Sequence, residues 1–273
     1  MTATDAVVPL AEACDEPRFG GKAVQLGAAV RARLPVPAGI ALSAALVDAL
    51  ATGDAADELD SIFGAVDAPL AVRSSSVGED SAGASFAGQH VTILNVRNTA
   101  QLADAVAAVW QSGRSEGALA YRRKLGLDEE PRMGIVVQEL VDPDIAGVLF
   151  TRNPVTGADE RVIEASWGLG EAVVQGFVTP DLYRVSRTGD VLKRTAGQKT
   201  ITLRALRDGS IAREPVAPAL VEALCLDDAE LTALHLLART CEQTFESPRD
   251  IEWALAGGGL YLLQQRRITR TAA

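Results

Sequence analysis

Histidine is nearly missing from this chain. Among 273 residues only His90 and His235 carry an imidazole, which excludes a histidine-rich metal centre. The three cysteines, Cys14, Cys225 and Cys241, are odd in number, far apart and without a C-x-x-C pair, so neither a disulfide framework nor a zinc cluster is expected. No uninterrupted apolar run approaches the ~18 residues of a membrane span. The opening Met1-Thr2-Ala3-Thr4-Asp5 lacks the basic start and apolar core of a secretory signal. The expectation is a soluble protein of a reducing cytoplasm, with no membrane partner. Basic residues are also outnumbered: 26 Lys and Arg against 36 Asp and Glu give a net charge of −10. That excludes a broadly basic nucleic-acid surface, although a small basic pocket inside an acidic shell stays compatible. No Ser/His/Asp or Cys/His arrangement for nucleophilic catalysis stands out, and no fixed-period repeat is visible.

What is present is an ordinary globular composition, 48% hydrophobic and 23% charged, in a chain long enough for about two domains. Helical patterns cover residues 22–33, 44–51, 54–63, 100–111 and 116–124. Strand patterns cover 38–42, 70–73, 90–96, 133–139, 146–151, 161–166, 182–186 and 199–203. A last helix over 228–245 precedes a pair of strands joined by Gly257-Gly258-Gly259, which reads as a β-hairpin. Helix-rich and strand-rich stretches are segregated, so the expected class is α+β, with a boundary near Glu130-Pro131. This gives lobes of 1–130 and 131–273, with a ligand-binding cleft expected between them.

Three elements could carry chemistry. The run Arg73-Ser74-Ser75-Ser76 follows a buried strand and leads into a loop with Gly78, Gly83 and Gly88. Glycines let backbone N–H groups approach phosphate oxygens, and arginine binds them in bidentate fashion. A surface loop with an ion-paired arginine accounts for the same residues. Gly20-Gly21-Lys22 opens the first helix and favours an anion, though it is not a Walker A sequence because Ala23 follows the lysine. In the terminal hairpin, Asp250 and Glu252 share one strand face, and Gln264 and Arg266 share one on the return strand. These groups suit a Mg²⁺-nucleotide platform, or equally a cross-strand salt bridge on a solvated face. His235, within Leu231-Thr232-Ala233-Leu234-His235-Leu236-Leu237, reads as a core or boundary residue, and His90 as a half-exposed strand residue.

The order of these motifs carries a resemblance. Gly20-Gly21-Lys22, Val36-Pro37-Ala38-Gly39, Arg73-Ser74-Ser75, Ser85-Phe86-Ala87-Gly88-Gln89, Gly147 to Pro154, Gly168-Leu169-Gly170-Glu171, Asp250-Ile251-Glu252-Trp253 and Leu263-Gln264-Gln265-Arg266 run through nearly the whole chain. Together they resemble the nucleotide-binding domain of the phosphoenolpyruvate synthase and pyruvate phosphate dikinase family, which rifampin phosphotransferase shares. The resemblance implies an ATP-grasp fold, two lobes clasping ATP. It also implies transfer of the β-phosphoryl group to a histidine on a carrier domain, leaving AMP. Lys22 and Arg73 would contact phosphates, and Gly88 and Thr92 would lie in the loop and strand covering them. Gln138 would read the adenine. Glu252 and Gln264 would hold Mg²⁺ and phosphate, and Arg266 would stabilise the transferring group.

There are departures. The family's Arg-Pro-Ile-Thr ending is here Arg266-Arg267-Ile268-Thr269, and the stretch between Gly39 and Arg73 is short. Neither histidine sits in a carrier-type motif, so the phosphohistidine and substrate domains are expected to be absent. The resulting expectation is a stand-alone phosphotransferase subunit acting in trans on a histidine-bearing carrier protein, which would pass phosphate to a small molecule. Alternatives are a non-catalytic ATP-binding regulatory subunit, and a direct kinase or ligase of a small molecule.

Overall fold

The computed structural model describes residues 6–77, 91–124 and 131–268. The chain divides into two compact units, drawn from the described residues of Met1–Arg31 with Pro37–Leu140, and of Ala32–Val36 with Val141–Ala273.

The first unit contains β1 (Val7–Pro9), α1 (Glu16–Phe19), α2 (Gly21–Arg31), β2 (Gly39–Leu42), α3 (Ala44–Thr52), α4 (Leu59–Gly64), β3 (Leu70–Ser76), β4 (Thr92–Val96), α5 (Thr99–Ser112), α6 (Glu116–Lys124) and β5 (Met133–Glu139). Its sheet runs β1-β2-β5-β3-β4 and is antiparallel throughout. Alternation assigns the two faces. Leu70, Val72, Ile135, Val137, Ile40 and Leu42 point into an apolar core with Val47 of α3, Ile62 of α4 and Leu102, Val106 and Val109 of α5. Ala71, Arg73, Ser75, Val136 and Gly134 point the other way, where α1 and α2 pack. Gly134 is needed there, because a Cβ would lie 2.3 Å from the Phe19 carbonyl oxygen. Ser43 and Asn98 start α3 and α5 by accepting from the Leu46 and Gln101 amides.

The second unit contains β6 (Ile145–Phe150), β7 (Arg161–Trp167), α7 (Glu171–Val174), β8 (Asp181–Val185), β9 (Val191–Thr195), β10 (Ile201–Ala205), β11 (Ile211–Pro215), α8 (Pro218–Val221), α9 (Asp228–Phe245), β12 (Arg249–Ala256) and β13 (Gly259–Arg267). Its main sheet is antiparallel in the order β13-β12-β6-β7-β8-β9, and β10 and β11 form a separate hairpin. A capping box between Asp227 and Glu230 opens α9, which packs on β12 and β6. The sheet face on that side carries Arg161, Ile163, Leu149 and Ile251. Val162, Glu164, Val148, Asp250 and Glu252 face the opposite way.

The α+β class expected from the sequence is what the structure has. The first unit runs past the expected boundary at residue 130, because β5 is the buried central strand of its sheet, paired on both sides. Residues Ala32–Val36 group with the second unit, where the Pro35 carbonyl accepts from the Leu262 amide at 2.8 Å. The helix expected over 54–63 is a 3-10 turn at Ala56–Glu58 followed by α4. Strands β9 and β11 gave no sequence signal, since their residues are almost wholly exposed and show no apolar alternation. All three cysteines are free thiols. Among the described residues no helix is long and apolar enough to cross a membrane.

Deep in the second unit, Asp181 and Lys199 form an ion pair with both side chains 0% exposed. Asp181 also accepts from the Gly197 and Cys225 amides at 2.7 and 2.8 Å. Removing one partner strands a buried charge, which costs about 3–5 kcal/mol. Asp181→Ala is therefore expected to lower the unfolding free energy by that order in chemical denaturation. A loss below about 1 kcal/mol would show that Lys199 finds water or another acceptor.

Candidate functional site

In the first unit, the start of α2 is pressed onto β3. Gly20 has φ of +80°, a conformation open to glycine, and a Cβ there would sit 1.9 Å from the Ser75 carbonyl oxygen. The Ala23 amide donates to Ser75 Oγ at 2.9 Å. Glycine at position 20 thus lets the helix N-terminus reach the strand, and this contact delivers Lys22. Its Nζ donates to the Ser74 carbonyl at 2.9 Å, immediately after Arg73 in the chain.

Lys22 and Arg73 are 8% and 5% exposed, so two cations are held out of water within a few residues of each other. Arg73 lies directly opposite Thr92 on β4, on the same sheet face. Thr92 is exposed. One alternation step along β5 lies Gln138, again on this face. Its side chain is 1% exposed, and Nε2 donates to the Pro37 carbonyl at 3.2 Å. Adenine recognition was expected of Gln138, and this bond holds its amide against the Pro37 backbone. Gly88 lies outside the described residues, as does His90.

In the second unit the terminal hairpin supplies the other set. Register pairs Glu252 with Gln264 and Asp250 with Arg266, so all four side chains share one face. Arg266 Nε donates to Asp250 Oδ2 at 2.7 Å, with the guanidinium about half exposed and the carboxylate buried. The salt bridge read from the sequence is present, and it orients Arg266 while leaving its outer edge toward water. Glu164 joins the row, two strands across from Glu252 through Val148. Burial, and then the nearby Asp250 charge, pushes the Glu164 carboxyl above its usual range. Burial likewise raises Asp250, opposed by Arg266 and assisted by Glu252. Sequence reasoning missed Glu164. The available signal was a lone carboxylate in the apolar run Val162-Ile163-Glu164-Ala165, whose meaning depends on strand neighbours.

This row fits a magnesium ion. Register sets Glu252 and Gln264 opposite each other, and a divalent cation would favour the charged forms of the Asp250 and Glu164 carboxyls, which burial raises above their usual range. Among the described residues no three His, Cys, Asp or Glu side chains converge as a ready-made metal cage. Mg²⁺ suits such a sparse site, since it usually takes one or two carboxylates and completes its shell with water and phosphate oxygens.

The structure thus brings Lys22, Arg73 and Thr92 together in one unit, and Glu252, Gln264 and Arg266 together in the other. Substituting Gly20→Ala is expected to force α2 off β3 and to lower the thermal midpoint by several degrees, since the clash is with backbone. An unchanged midpoint would show that the close approach does not position Lys22.

Comparison with known proteins adds independent findings. A "Probable phosphoenolpyruvate synthase" of Methanothermobacter thermautotrophicus is 43% identical over 209 residues, covering 76% of this chain and 30% of the relative. Rifampicin phosphotransferase of a Streptomyces species is 42% identical over 202 residues, covering 73% and 23%. Phosphoenolpyruvate synthase of Pyrococcus furiosus is 38% identical over 225 residues, covering 78% and 27%. The chain spans less than a third of the length of each of these relatives. Among solved structures, PH1788 from Pyrococcus horikoshii aligns over 90% of this chain and 88% of its own at 13% identity and a TM-score of 0.47, a partial likeness on which nothing further rests. The model of the pyruvate phosphate dikinase AMP/ATP-binding domain matches residues 42–273, and the chain belongs to that family.

Proposed function

We propose that this chain binds ATP with Mg²⁺ and passes the β-phosphoryl group to a histidine on a separate carrier protein, leaving AMP, with the γ-phosphate released as phosphate by transfer to water or as pyrophosphate by transfer to inorganic phosphate. The carrier would hand the phosphoryl group to a small molecule. The observation that carries the reading is the hairpin register: it sets a carboxylate, an amide oxygen and an oriented guanidinium on one face, the donor set that phosphoryl transfer needs. In the proposed scheme Lys22 and Arg73 hold phosphate oxygens, with Gly88 and Thr92 from the adjoining loop and strand. Gln138 supports the adenine end through its hold on Pro37. Glu252 and Gln264 would hold Mg²⁺, whose charge neutralises the phosphates. Arg266 stabilises the negative charge that develops on the transferring group, and Asp250 fixes its orientation. The proposed compartment is the cytoplasm.

Little covalent help is required of the protein. Transfer of this kind depends on alignment and on fixed positive charge. Buried cations such as Lys22 and Arg73 are already stripped of most water, so they need not reorganise when an anion arrives. An excess of acid over base on the whole chain does not oppose this, because the cations are local.

The test is to incubate the chain with ATP and Mg²⁺, with and without a phosphohistidine-domain protein, and to separate the nucleotides. AMP that depends on the histidine-bearing protein supports the proposal. Tight ATP binding without AMP under any pairing would replace it with a non-catalytic role. AMP made without any carrier would point to direct action on a small molecule. Arg266→Ala is expected to lower AMP formation about 10²–10³-fold, the usual cost of removing one charge-stabilising donor, with ATP affinity changed only a few-fold. Lys22→Met should instead weaken ATP binding, read by calorimetry. Equal losses of affinity in both variants would remove the distinction between a holding and a transferring cation.

A further inference from the structure

On the α9 side of the second sheet, away from the carboxylate row, lies a buried arginine–histidine contact. Arg161 Nη1 is 2.6 Å from His235 Nδ1, and the two residues are 1% and 6% exposed. A guanidinium only donates hydrogen bonds. His235 Nδ1 must therefore be the acceptor, and the ring must be neutral with its proton on Nε2. The contact joins β7, which carries Arg161, to the middle of α9, which carries His235. The turn between β8 and β9 closes over the ring: a Cβ at Gly189 would touch it at 3.4–3.5 Å.

Arg161 has few other supports. Nη1 also reaches the Ser186 carbonyl at 3.3 Å, and Nη2 stands 3.7 Å from Glu242. Its Nε has no hydrogen-bond partner among the described residues. Glu242 is shared, since it binds Arg187 at 2.8 Å. The imidazole nitrogen is thus a principal acceptor for a guanidinium that cannot lose its charge.

We propose that the Arg161–His235 contact is an acid-sensitive latch holding α9 and the β8–β9 turn to the second sheet. Protonating His235 removes the lone pair that Arg161 uses and sets one buried positive charge against another. The groups facing the ring are Arg161 from β7, Arg187 and Asp190 from the turn, and Arg239 of α9 itself. Glu242, also on α9, faces the guanidinium of Arg161. Only Asp190 favours the protonated ring, and it is occupied by the Ser186 and Thr188 hydroxyls. Burial, then Arg161, holds the His235 pKa below its ordinary 6.5. The unfolded chain then binds the proton more readily than the folded one, so the latch contributes fully above about pH 6.5 and weakens as pH falls below it.

The test compares the full chain with His235→Asn in thermal unfolding between pH 8 and 5. Asparagine can place Oδ1 where Nδ1 was, and it does not titrate. The expected result is that the wild-type midpoint falls more steeply below pH 6.5 than that of the variant. Parallel curves would overturn the latch. Should the variant fail to fold, ring nitrogen NMR of the wild-type protein decides. A neutral Nε2–H ring at pH 7 titrating below 6.5 supports the proposal, and a midpoint at or above 6.5 overturns it. ATP plays no part in either readout, so the outcome is independent of the proposed reaction.

Discussion

Every guanidinium or ammonium group that a fold removes from water has to be met by an oxygen or a nitrogen lone pair. That constraint organises both units. Lys22 is met by a backbone carbonyl, Lys199 by a buried aspartate and Arg161 by a histidine ring, while the half-exposed Arg266 is met by Asp250 on one edge. The acceptors differ in kind, and the difference sorts the sites. Lys199 faces a full counter-charge and is locked in place. Lys22 donates to a neutral backbone carbonyl.

Much of the architecture could be read from residue order. The short apolar run Leu70-Ala71-Val72, the long pattern of α9 and the glycine tip between β12 and β13 each depend on residues near in sequence, and each forms as expected. Lys22 and Arg73 were legible as candidates because residue type and motif order mark them. Their proximity was not, since it arises from Gly20 lying against Ser75 across a long stretch of chain. Glu164 and the Arg161–His235 contact were invisible for the same reason: they are relations between strands and a helix that only the assembled sheet defines. Gln138 was marked by the family resemblance alone, and its packing against Gly39 and bond to Pro37 are defined only in the assembled sheet.

The family match covers residues 42–273, whereas Gly20 and Lys22 lie ahead of it. Structure supplies the link that the family comparison leaves out: α2 belongs to the same unit as β3, and its first turn is bonded to Ser74 and Ser75. The two cation-bearing elements of the first unit are therefore one object mechanically, although one lies inside the matched region and the other outside it.

The hairpin of β12 and β13 changes register between Glu252 and Trp253, so that Gln264 opposes Glu252 while Leu262 opposes Trp253. Leu263 is the surplus residue. Such an irregularity bends the strand that carries it and increases the local twist. On its open side the Gly257-Gly258 tip, with both residues at positive φ, sets one alignment; on the other, the pairs around Arg266 keep their own. The kink at Leu263 thus lies between the glycine tip and the charged pairs, so it sets the angle at which Asp250 and Arg266 leave the rest of the ribbon.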